Sequence, residues 1–222
     1  MTPTKVHDWR IDEREYARHE ARRGRRHAFD TIDPRQAALV VVDLVPFFVS
    51  ENPYAQAIVP NVNRLAAALR SAGGTVAWVV PAAEPPSPAR VEFLGPEVAE
   101  TYRACGGNGA VRDRLWPDLD HHDGDLTLEK SAASAFFPGR SPLPELLTQR
   151  EVDTLVIAGA VTNVCVESTA RDAATLGYRV VVAADATAAG TDAVHNASLH
   201  TIYRSFGDVR PTREIVGLLT KE

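Results

Sequence analysis

The chain has 222 residues, of which 45% are hydrophobic and 24% charged, the composition of one globular domain and not of a disordered chain. Its 24 Lys and Arg against 29 Asp and Glu give a net charge of -5, which speaks against a nucleic-acid partner, since that needs a basic face. No apolar run nears the roughly 18 residues of a membrane span, the opening residues lack the apolar core of a secretory signal, and Cys105 and Cys165 cannot build a disulfide framework. A cytoplasmic enzyme or binding protein is expected, with no membrane partner.

Residues 1–36 read as an N-terminal helical arm, distinct from a single domain over 37–222. The arm holds nine Lys and Arg against seven Asp and Glu. Good helix formers and Glu/Arg pairs at helical spacing predict a helix over 11–23, ended by Gly24. It reads as a solvated helix or as an arm that packs on a partner subunit through Trp9, Ile11 and Tyr16. From Ala37 the pattern alternates. ALVVVD (38–43) is a short β-branched run of the kind buried on both faces of a parallel sheet. Residues 57–72 place Ile58, Val62, Leu65, Ala66 and Leu69 on one helical face before Gly73-Gly74. TVAWVV (75–80) is a second strand stopped by Pro81.

Residues 84–125 are rich in Pro, Gly and charge, with one short helix expected near 96–104. The stretch is too long for a plain connection and suggests a lid or an oligomer contact. Strands follow at 126–130, 154–159, 178–185 and 207–210. Helices are expected at 142–149, 163–176, 191–204 and 211–220. Such alternation indicates an α/β fold: a doubly wound, mostly parallel six-stranded sheet flanked by helices, Rossmann-like in three layers.

In such sheets ligands sit beyond the carboxyl ends of the strands. Asp43 ends the first strand, Lys130 the third, and Cys165 follows the fourth in GAVTNVCVES. Singly, each has a structural reading: a turn cap, a surface charge, a small buried hydrophobe. Together at one edge they form a coherent set. An ammonium and a helix N-terminus favour a thiolate, a carboxylate can take the thiol proton and return it to a leaving group, and successive N–H groups of the turn can hold an oxyanion.

ALVVVDLVPFFV, LEKSAASAFFPGRSPLPELL and DTLVIAGAVTNVCVESTARDAATLGYRVVVAADATAA occur in this order, and the chain from Ala37 to Leu219 resembles the isochorismatase-like cysteine hydrolase family. The resemblance implies a catalytic triad of Asp43, Lys130 and Cys165. It also implies a cis peptide at Ala160–Val161 and an oxyanion hole of the Val161 and Cys165 backbone N–H groups. It points to the amidohydrolase branch: C–N cleavage of a small amide, carbamoyl or ureido compound through a Cys165 acyl-enzyme, in a homodimer or homotetramer. A vinyl-ether hydrolase and a catalytically idle binding or assembly member are the alternatives.

No cofactor is expected. No metal is expected either, because the stretch after the first strand lacks the Asp/His cluster of nicotinamidases, and His121-His122-Asp123 with Asp125 is a weak candidate set. Phe47, Trp78 and Phe136 flank the inferred site and are candidate substrate contacts, although aromatics also fill cores. Asn163 could bond the substrate or cap the helix. Cys105 reads as incidental.

Overall fold

The computed structural model describes residues 3–220. The arm carries helix α1 (Glu13–Arg23), whose first turn is capped by the Asp12 side chain accepting from the Arg14 N–H, and whose end is Gly24 in the left-handed region at φ 73. β1 (Ala37–Val42) is buried along its whole length. A short helix α2 (Pro46–Val49) follows, then α3 (Pro53–Ser71) and β2 (Thr75–Pro81). α3 starts earlier than its apolar periodicity suggested. Pro53 occupies its first turn and the Asn52 side chain accepts from the Tyr54 and Ala55 N–H groups, so the helix is set by its cap and by a proline where a proline does no harm.

The segment after β2 holds two helices, α4 (Pro88–Leu94) and α5 (Pro96–Ala104), where one was expected. α4 is capped by the Ser87 side chain, and Gly95 at φ 79 separates the two. β3 (Leu126–Lys130), α6 (Leu143–Thr148) and β4 (Thr154–Ala160) follow. Then come α7 (Glu167–Thr175), β5 (Arg179–Ala188), α8 (Asp192–Ser205), β6 (Asp208–Arg210) and α9 (Thr212–Leu219).

The six strands form one sheet in the order β3-β2-β1-β4-β5-β6. Every pairing is parallel, where the sequence promised only a mostly parallel sheet. Strand residues alternate between two cores. Leu39, Val41, Trp78, Val156 and Val181 pack with Val62, Leu65 and Ile215 of α3 and α9. Val40, Val42, Val79, Ile157 and Val182 pack with Leu147, Ala170, Leu199 and Ile202 of α6, α7 and α8. Each such fully buried aliphatic contributes about 2 kcal/mol. Chain order reverses between β1 and β4, which opens a crevice at their carboxyl ends.

The arm is neither free in water nor held out to a partner. Ile11 belongs to the core on the α8 side, with Trp9 and Tyr16 packed against it. Arg204 of α8 bridges to Glu15 at 3.2 Å, and the Tyr16 and Tyr203 rings meet edge-on at 5.1 Å. The aromatic residues singled out for an intersubunit contact are therefore consumed within the chain. No helix among the described residues is long and apolar enough to cross a membrane.

Candidate active site

Asp43 follows β1 directly and takes a left-handed backbone, φ 55, a conformation Asp tolerates better than most residues. Its N–H donates to the Val79 carbonyl at 2.8 Å and its carbonyl accepts from Val45 at 2.9 Å. Both bonds hold the carboxylate over the ends of β1 and β2. Lys130 is the last residue of edge strand β3, and Ala82 of the chain beyond β2 donates to its carbonyl at 2.8 Å. Cys165 lies past β4 in a wide turn over Thr162–Val166, closed by the Val166 N–H on the Val161 carbonyl at 3.3 Å. The helix expected over 163–176 is thus a wider turn that carries the thiol, followed by α7.

One glycine lets these ends meet. Gly159 sits at φ +111, and a Cβ there would come within 2.1 Å of the Val42 carbonyl oxygen. The register of β4 against β5 also shifts between Ile157 and Gly159. A side chain at 159 would push β4 away from β1, and the Cys165 turn away from Asp43.

The three side chains converge. Lys130 Nζ lies 2.8 Å from Asp43 Oδ2 and 3.6 Å from Cys165 Sγ, and it donates to the Ala132 carbonyl at 3.0 Å. Asp43 is 1% exposed, Lys130 4% and Cys165 8%. The Lys130–Asp43 approach is an ion pair without good hydrogen-bond direction, so both carboxylate oxygens remain free of a directed donor.

Burial governs the titration. It raises the Asp43 carboxyl, against the opposing pull of Lys130 and Cys165. It pushes the Cys165 thiol up to about 12, helped by the charge of Asp43 and opposed by Lys130. Burial opposes the charge on Lys130, but Asp43 and then Cys165 outweigh it and the ammonium is favoured. The resting thiol is therefore neutral beside the Lys130 ammonium. A standing thiolate, which the sequence suggested, is not what this environment holds; the thiol can lose its proton only as a reaction proceeds, with Asp43 as acceptor.

The Ala160–Val161 peptide is cis. The Val161 N–H lies at the start of the turn that carries Cys165.

The aromatic candidates divide. Phe47 is 44% exposed, edge-on to Phe48 at 4.9 Å and 5.9 Å from Tyr102 of α5; it stands on α2, just after Asp43. Trp78 and Phe136 are core residues on opposite faces of the sheet. The Trp78 indole donates to Asp125 at 2.8 Å, and the Phe136 ring packs against Tyr178 at 5.3 Å. Neither lines an opening, because even-spaced strand positions and the turn after β3 turn them inward. Asn163 is exposed and makes no cap bond. Asp125 is already engaged by Arg70, Trp78 and the His122 N–H, which leaves its carboxylate no role in the weak metal set.

Cys105 was passed over and belongs here. It caps α5, and burial first, then the charge of Asp43, pushes its thiol up to about 11. The next residue, Gly106, lies so close to Pro81 that a Cβ would meet the Pro81 carbonyl oxygen at 2.0 Å. The only sequence signal was that glycine following a lone cysteine.

The sequence matches the model of the Isochorismatase domain family over residues 37–214. A ureidoacrylate amidohydrolase, RutB, of Cronobacter sakazakii is 32% identical over 218 residues, spanning 86% of this chain and 92% of its own. Among solved structures, a cysteine hydrolase of Pseudomonas syringae pv. phaseolicola superposes with a TM-score of 0.76 at 26% identity, covering 87% of this chain and 96% of its own. An N-carbamoylsarcosine amidase of Thermoplasma acidophilum gives 0.65 at 27% identity, with 80% and 96% covered.

Proposed function

The chain belongs to the isochorismatase family and is a hydrolytic enzyme, and from that premise we propose that it cleaves the C–N bond of a small amide, carbamoyl or ureido compound through a covalent intermediate on Cys165. The observation that carries the reading is Lys130 Nζ standing 2.8 Å from the Asp43 carboxylate and 3.6 Å from the Cys165 sulfur in a nearly buried cluster.

In this reading Asp43 takes the thiol proton as Sγ attacks the substrate carbonyl carbon. The Val161 and Cys165 N–H groups receive the developing oxyanion. Asp43 then passes its proton to the leaving nitrogen, the C–N bond breaks, and a thioester or thiocarbamate remains on Cys165. Water, deprotonated by Asp43, attacks that carbonyl; the sulfur leaves and regains the proton from Asp43. Lys130 keeps its charge throughout and offsets the negative charge that moves between carboxylate, sulfur and oxyanion.

A buried carboxylate without directed donors is well suited to this exchange, because it is a stronger base than one in water. Phe47, at the exposed side of the site, is the substrate contact this reading retains; the working assembly is a homodimer or homotetramer. A screen of small amides, carbamoyl amino acids and ureido acids for ammonia release, run with Cys165→Ala as the control, tests the assignment. Release by the wild type alone supports it; equal release by the variant overturns it.

A further inference from the structure

Residues 5–10 form a strap across the N-terminal ends of α3 and α8. The Lys5 N–H donates to the Pro53 carbonyl at 3.1 Å. The Asn196 amide donates to the Asp8 carbonyl at 2.9 Å, and its oxygen accepts from the Arg10 N–H at 2.8 Å. Between these anchors His7 is inserted between two helices. Its ring stacks on Tyr54 of α3 at 3.9 Å and on His195 of α8 at 4.0 Å. Nδ1 lies 2.6 Å from Asp192 Oδ1, and Nε2 accepts from the Ala189 N–H at 3.1 Å. A backbone N–H can donate only to an unprotonated nitrogen, so the ring carries its proton on Nδ1, towards Asp192.

His195 is 0% exposed, and burial, followed by the neighbouring His7, pushes it down to about 3, so it is neutral. Its Nδ1 meets the Thr162 hydroxyl at 2.9 Å, and the Ala184 backbone lies near the ring, with Nε2 making no well-directed bond. The Thr162 hydroxyl at one edge and the His7 ring on one face help to hold its plane. Thr162 is the first residue of the turn that carries Cys165, and it directly follows Val161. A continuous set of contacts thus runs from the strap through His195 to the turn. The strap itself lies outside the segment matched by the family domain, residues 37–214.

We propose that His7 is a positioning residue: stacked on His195, it fixes the ring that holds the Thr162 hydroxyl, and so sets the Cys165 turn in register with Asp43 and Lys130. The proposal rests on the reading of Cys165 as the nucleophile. A small displacement of a nucleophile costs rate far more than it costs substrate binding. Loss of the strap should therefore appear in kcat and in thiol reactivity, with little change in KM.

The test compares wild type, His7→Ala, Thr162→Val and the double variant by kcat, KM and the rate of iodoacetamide labelling at Cys165, with His7→Phe and Thr162→Ser alongside. Each of His7→Ala and Thr162→Val should lower kcat and labelling about tenfold with KM within about twofold. The double variant should be no worse than the poorer single one, since both break the same connection. Thr162→Ser keeps the hydroxyl and should stay near wild type. His7→Phe keeps a flat ring against His195 and should stay near wild type; if His7→Ala does not fold, His7→Leu, which loses the flat ring, carries the comparison and should fall in kcat and labelling in the same way. Wild-type kcat and labelling in His7→Ala or His7→Leu, even with a lower Tm, overturn the proposal, as do losses that multiply in the double variant. Failure of the nucleophile reading looks different: wild type itself would not be labelled at Cys165, or Cys165→Ala would retain turnover.

Discussion

Replacing Lys130 by Met removes a charge while keeping the length of the stem, and so isolates what that charge does. Its nitrogen stands 3.6 Å from the Cys165 sulfur. At an effective dielectric of about 20, two unit charges at that distance interact by about 4–5 kcal/mol. Water entering the vacated space weakens this, so about 2–4 kcal/mol is the expected loss, or roughly 30- to 1000-fold in thiolate population. The sign follows from the charge: without the cation, both the Cys165 thiol and the Asp43 carboxyl rise further, since Lys130 opposes the effect of burial on each. Alkylation of Cys165 should move to higher pH, and turnover at neutral pH should fall at least 30-fold on the same scale. Lys130→Arg keeps the charge but must fit a planar guanidinium where the native side chain is nearly buried, so it should fall between the two. The assay is the iodoacetamide labelling rate at Cys165 against pH for all three proteins. If the Met variant titrates with the wild type, Lys130 does not act on the thiol, and its assigned role is wrong even if Cys165 proves essential.

Asp43 must be ionised to act as the base, and burial raises its carboxyl, so the acid limb of kcat/KM should lie above the range of an exposed carboxylate; a limb at or below that range contradicts the base assignment. Dialysis against a chelator should leave turnover unchanged, and activity that is lost and then restored by zinc, iron or manganese would contradict the metal-free mechanism. Sedimentation at micromolar concentration should give the mass of a dimer or tetramer, with a monomer as the contrary result.

Much of the fold was readable because its strands are short β-branched runs bounded by glycine and proline, and because helices alternate with them. β1, β3 and β4 came within a residue of their observed ends for that reason. The start of α3 was missed because its first turn, Pro53 to Gln56, is set by the Asn52 cap and carries little apolar periodicity. The arm was misjudged for a different reason: Trp9, Ile11 and Tyr16 announce a buried face, but nothing local says whose surface buries it. Asp43, Lys130 and Cys165 were legible as strand-end residues, since topology alone brings such positions to one edge. Trp78 and Phe136 were not separable from pocket residues, because which face of the sheet a residue joins, from a strand or from the turn after one, depends on packing distant in sequence. His7 and Cys105 escaped for the same reason: their partners lie on elements far along the chain.

The central claim is that a bond to the Cys165 sulfur forms during turnover. Cys165→Ser preserves the shape of the side chain and the charges around it, so turnover of a substrate found in the screen, measured beside wild type with circular dichroism to confirm the fold, tests that claim most directly. The account predicts a loss of at least about a thousandfold with an unchanged spectrum. Turnover within tenfold of wild type would contradict it.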